Sequence, residues 1–60
     1  MTAQQIADAI EVNCLEHLTG AKSRGEWDRE QHRLWTLARE AGLGAVVARL
    51  VAPQVCGVGR

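Results

Sequence analysis

Cys14 and His17 lie three residues apart, and side chains at this spacing share one side of an α-helix. A thiolate and an imidazole are zinc ligands, so the pair could supply half of a tetrahedral site. His32 and Cys56 would have to complete it, and neither belongs to a Cys-x-x-Cys or His-x-x-x-His pair. We therefore expect Cys14 to be a small core residue and predict no cofactor. A zinc-stabilised helical module is kept as an alternative.

The same pair has the residue types of a thiolate nucleophile and its base. A catalytic cysteine also needs a concave pocket and hydrogen-bond donors for an oxyanion. A chain of 60 residues forms one small domain with little volume for such a pocket. We therefore predict that the protein is not an enzyme and assign no catalytic residues.

The charge balance argues against a nucleic-acid partner. Seven basic and seven acidic side chains give a net charge of zero, so no overall basic field is present. The basic residues all lie at or after position 22, but Glu26 and Glu40 share a predicted helix face with Arg29 and Arg33. Such a face is a poor phosphate-binding surface. A small DNA-binding transcriptional regulator is therefore only an alternative.

Two capping-box patterns mark the starts of helices. Thr2 is followed three residues later by Gln5, and Ser23 by Glu26, the spacing at which the two side chains satisfy each other's backbone N–H groups. Gly20 lies between the two patterns and is suited to the left-handed conformation that ends many helices. The sequence therefore predicts two helices with a short connection, which makes them an antiparallel hairpin.

Apolar residues recur at helical spacing through both segments, about 2–19 and 24–41. In the first helix they form one stripe of Ala3, Ile6, Ala7, Ile10, Cys14 and Leu18. The apolar seam, in the core of the hairpin or at a dimer contact, is predicted to contain Ile6, Ile10, Trp27 and Leu34.

The apolar residues that follow the second helix do not fit the helical spacing of its seam. If that helix continued through Gly42 and Gly44, the apolar residues beyond them would point about 150° away from the seam. We favour a break at Gly42, followed by a short third helix over about 45–51. The alternative is one long helix whose second half is covered by another subunit.

The chain is predicted to form one domain over residues 1–52, and Pro53 begins a flexible tail over 53–60. The N-terminal residues lack the features of a signal peptide, and two cysteines do not make a disulfide framework. We therefore predict a cytoplasmic protein with reduced thiols. No apolar run is long enough for a membrane span, so no membrane partner is expected.

Trp35 lies about 80° from the seam, at the edge of the apolar stripe. Either it packs under the third segment or it anchors a partner, since tryptophan is enriched in interface hot spots. A chain this short buries only about 60% of the surface of its unfolded state, so uncovered apolar surface is expected. The residues predicted to bind a partner are Trp35, Leu43, Val46, Val47 and Leu50.

Three short strings carry a family resemblance: Ser23-x-x-Glu26-Trp27, Leu34-Trp35 and Glu40-Ala41-Gly42-Leu43. With them the chain resembles small helical-hairpin proteins of bacteriophages and other mobile elements, and the helical modules known as SHOCT domains. It departs from the SHOCT pattern at Gly25, where an acidic residue is usual, and in having tryptophan for phenylalanine. The resemblance implies an interaction or oligomerisation role without catalytic residues.

The sequence thus predicts an all-α protein, a helical hairpin with a short third helix that homo-oligomerisation completes. Its predicted function is that of a small protein–protein interaction module. The expected partners are a second copy, in a homodimer or larger assembly, or a host protein that a phage- or plasmid-encoded inhibitor binds.

Overall fold

The computed structural model describes residues 1–51 and shows three α-helices in that range. They are α1 (Ala3–Leu18), α2 (Arg24–Glu40) and α3 (Gly44–Leu50). The all-α prediction is confirmed, with a helical hairpin and a short third helix. The predicted tail and Cys56 lie outside the described residues. Over residues 1–51, no helix is long and apolar enough to cross a bilayer.

Both helices of the hairpin begin with a complete capping box. The Thr2 hydroxyl accepts a hydrogen bond from the Gln5 N–H at 3.1 Å, and the Thr2 N–H donates to Gln5 Oε1 at 2.8 Å. Ser23 and Glu26 make the same exchange at 3.2 and 3.0 Å. The hydrogen bond from the Ser23 backbone lowers the pKa of Glu26. This cap therefore contributes its stability above the ordinary pKa of a glutamate and loses it as the pH falls.

Gly42 ends α2 and turns the chain back. Its φ of 74° lies in the left-handed region. The Gly42 N–H donates to the Arg39 carbonyl at 3.0 Å and the Leu43 N–H to the Ala38 carbonyl at 2.8 Å, which is the Schellman pattern. The predicted break is confirmed, and the alternative of one long helix is wrong.

Two glycine substitutions should change stability in opposite directions. Gly42→Ala places a Cβ in the left-handed region and should cost about 1 kcal/mol. Gly25 lies inside α2, where a Cβ would meet only the tip of the Arg29 side chain at 3.8 Å. Gly25→Ala should therefore stabilise the protein by about 0.5–1 kcal/mol. Urea unfolding followed by circular dichroism measures both, and equal shifts of the two midpoints would contradict the assigned ends of α2.

All three helices contribute to one apolar core. Ile6 and Ile10 of α1 are buried against Leu34 of α2, and Trp27 is partly buried at the edge of this cluster. The other buried apolar residues are Ala7, Cys14, Ala38, Val47 and Val51. Because α3 folds back onto the hairpin, it supplies the remaining apolar cover from within the same chain.

Val47 requires a correction. It was predicted to bind a partner, yet it is fully buried in the single chain. The turn at Gly42 directs Val47 into the core, and Val51, one turn later, follows it. The expectation that one chain cannot shelter apolar groups facing both directions is therefore wrong for these two residues.

Candidate functional site

Cys14 and His17 are the pair with the most reactive residue types. Their contacts in the structure indicate a role in stabilising the fold. Cys14 is buried and disulfide-bonded, so the prediction of reduced thiols is wrong for it. Disulfides are rare in the reducing cytoplasm, and the predicted location loses the support that reduced thiols would give. Cys56, the only other cysteine in the sequence, lies outside the described residues.

The His17 ring stacks on the Trp27 indole, with ring centroids 5.1 Å apart and planes at 19°. Its Nδ1 lies 3.3 Å from the Lys22 carbonyl oxygen in the connection between α1 and α2. His32 is exposed on α2, on a different helix from His17. Among residues 1–51, no three histidine, cysteine, aspartate or glutamate side chains come together as metal ligands would.

Asn13 is a buried polar residue at the centre of a hydrogen-bond network. Its Nδ2 donates to the Trp27 carbonyl at 3.2 Å and to Gln31 Oε1 at 3.0 Å. Its Oδ1 accepts from Lys22 Nζ at 2.6 Å, and the same ammonium lies 3.0 Å from Glu16 Oε1. Both amide hydrogens and the carbonyl oxygen are thus used. The network joins α1, the connection and α2, and the sequence analysis did not identify it.

Trp35 packs against the core and remains partly exposed. Its exposed part borders a shallow depression of about 470 Å³, whose other described lining residues are Asp28, Arg29, Gln31 and His32. Leu43 is also partly buried against the core. Two of the predicted partner-binding residues therefore already have much of their surface covered by this chain.

Large apolar side chains are exposed on α1 and α3. Val12, Leu15 and Leu18 follow one another at intervals of three residues, which makes each a neighbour of the next on the helix surface. We name these three the α1 row. Val46 and Leu50 are one turn apart and are named the α3 row. The exposed fractions of these five side chains range from 40% to 65%.

The α3 row belongs to the predicted partner-binding set, whereas the α1 row does not. Val12 and Leu15 lie off the apolar stripe of α1 and were left out of the sequence analysis. Leu18 was placed in the buried stripe, but it is 65% exposed, so that assignment is wrong. Leu18 is the last residue of α1, and the chain turns away at Gly20 immediately after it.

Comparison with known proteins identifies no relative. No family model, curated protein or solved structure matches the chain. The two rows and the charges that surround them are therefore the features that bear on function.

Charged residues divide unequally among the helices. α1 carries Asp8, Glu11 and Glu16, and no lysine or arginine precedes Lys22. The charged residue of α3 is Arg49, in its last turn. In α2, arginines and carboxylates are interspersed. The order along that helix is Arg24, Glu26, Asp28, Arg29, Glu30, Arg33, Arg39 and Glu40.

One of the carboxylates of α2 is paired. Arg33 donates to both oxygens of Glu30, at 3.0 and 2.6 Å, and this hydrogen bonding lowers the pKa of the carboxyl. A helix whose arginines are interspersed with carboxylates offers phosphates no continuous basic face.

Proposed function

We propose that the chain is a small non-enzymatic protein–protein interaction module that binds its partner through the α1 row and the α3 row. The observation that carries the proposal is the exposure of these five valine and leucine side chains at helical spacing. Single exposed apolar residues are normal, but contiguous ones indicate a binding surface. Covering the exposed half of each would contribute about 1 kcal/mol.

This proposal includes three predictions from the sequence, which concern the partner, the interaction role and the absence of a cofactor. The partner is a second copy of the chain or a host protein, and the resemblance to phage hairpin proteins and SHOCT domains supports an interaction role of either kind. The chain acts without a cofactor, through the shape and apolar character of its helices.

The two alternative functions have less support. A DNA-binding regulator would need a basic surface, and carboxylates are interspersed among the arginines of α2. A zinc-stabilised module would need the Cys14 thiolate, and this sulfur is disulfide-bonded.

Site-specific photo-crosslinking tests the proposed surface. A benzophenone amino acid in place of Leu15 should form covalent protein adducts, with a second copy in the purified chain or with a different protein in an extract of cells that express it. Leu18→Glu should reduce adduct formation about tenfold or more, because it places a charge in the α1 row. Arg29→Glu is the matched control, since Arg29 is exposed on α2, outside both rows. Adducts that are absent, or equally reduced by both variants, would contradict the proposal.

A further inference from the structure

We infer that the partner is a second copy of this chain, with the α1 row of each subunit packed against the α3 row of the other. The inference rests on the proposed function and specifies its partner. In such a twofold dimer the same contact forms twice.

The two rows match in chemistry and are comparable in length. Both consist of aliphatic side chains that are about half exposed. The α1 row extends from Val12 to Leu18, about 9 Å along the helix axis, and the α3 row extends from Val46 to Leu50, about 6 Å. Because α1 and α3 pack against each other in the chain, the two rows lie on neighbouring elements. One partner of the same size can therefore cover both.

The charges beside the rows are complementary. Asp8 is exposed and lies one turn before Val12 on α1, where its carboxylate accepts a hydrogen bond from the neighbouring Gln4 at 2.8 Å. Arg49 is exposed and lies three residues after Val46 on α3. Within residues 1–51, neither Asp8 nor Arg49 forms an ion pair. A contact between α1 of one subunit and α3 of the other would bring Asp8 of one chain near Arg49 of the other, and the twofold dimer would contain this pair twice.

The net charge also favours a second copy. A foreign partner would have to supply a basic apolar face and an acidic apolar face on adjacent elements, and this chain already has both. Its formal net charge is zero, so two copies do not repel each other at long range.

Charge reversal gives the first test, with sedimentation equilibrium of the purified chain as the measurement. Asp8→Lys and Arg49→Glu should each weaken self-association about tenfold or more, because like charges then face each other twice. Asp28→Lys and Arg29→Glu introduce the same charge changes at exposed positions on α2, outside the rows, and should have little effect. Circular dichroism checks that every variant remains folded.

A mixing experiment gives the decisive test. Asp8→Lys and Arg49→Glu chains, at a concentration where each alone is mostly monomeric, should form a dimer when combined, since both contacts of the mixed dimer are again complementary. A wild-type chain that stays monomeric at its highest soluble concentration would overturn the inference. So would a mixture that stays monomeric, or an assembly larger than a dimer. Crosslinking from Leu15 to a different protein, with a monomeric wild type, would overturn only this inference and leave the interaction function standing.

Discussion

Val47→Asp should unfold the protein, whereas Val46→Asp, one residue earlier, should leave it folded. Val47 is fully buried among the core residues of the three helices, and an unpaired carboxylate there costs several kcal/mol. A small domain has a free energy of unfolding of only about 5 kcal/mol. Val46 is 46% exposed, so a carboxylate in its place can remain hydrated. Thermal unfolding followed by circular dichroism measures the difference.

This pair of variants tests the direction in which α3 folds back. If α2 continued past Gly42, Val47 would point away from the hairpin, and the two aspartates would have similar small effects. Similar unfolding temperatures for the two variants would therefore contradict the assignment of Val47 to the core. The measurement is made in dilute solution, where the chain is monomeric. The comparison then excludes any effect of Val46→Asp on self-association.

Asn13→Leu should be the second large effect, with a cost of about 2–4 kcal/mol. Leucine has nearly the same size, but it leaves the Trp27 carbonyl, the Gln31 amide and the Lys22 ammonium without the hydrogen bonds they make with Asn13. Each buried polar group that loses its partner costs about 1–3 kcal/mol. Urea unfolding gives the change in free energy.

Two further variants test whether that cost comes from the lost hydrogen bonds of the Asn13 network. Gln4→Leu makes the same kind of change at an exposed position of α1 and should cost less than about 0.5 kcal/mol. Lys22→Met combined with Asn13→Leu should cost less than the sum of the two single changes, because both variants remove the same contact. If the two costs simply add, the network does not act as a unit.

The helix ends could be predicted from the sequence because the interactions that determine them are local. Each capping box involves residues three apart, and the turn at Gly42 depends on one glycine and the carbonyls just before it. The orientation of α3, in contrast to the helix ends, could not be predicted from local interactions. Whether Val46 or Val47 faces the core depends on the angle at which the chain leaves the turn, and no spacing within α3 specifies that angle.

The candidate surface was only half predictable for a related reason. The helical spacing in α1 predicts a single apolar stripe, and Val12 and Leu15 lie off it, so the spacing did not indicate that they form a second row. Asn13 was missed because its partners are 9, 14 and 18 residues away. An asparagine three residues after Ile10, at helical spacing from the stripe, was a signal in the sequence. Its meaning depended on which side chains of α2 lay opposite.

The seven residues of α3 would link the proposed recognition to the integrity of the whole fold. A helix of this length is unstable in water by itself, so α3 persists only while Val47 holds it on the hairpin. If the proposed partner covers Val46 and Leu50 on its outer side, it also favours the ordered state of the helix. By mass action, the stability of the folded chain would then rise with the concentration of that partner.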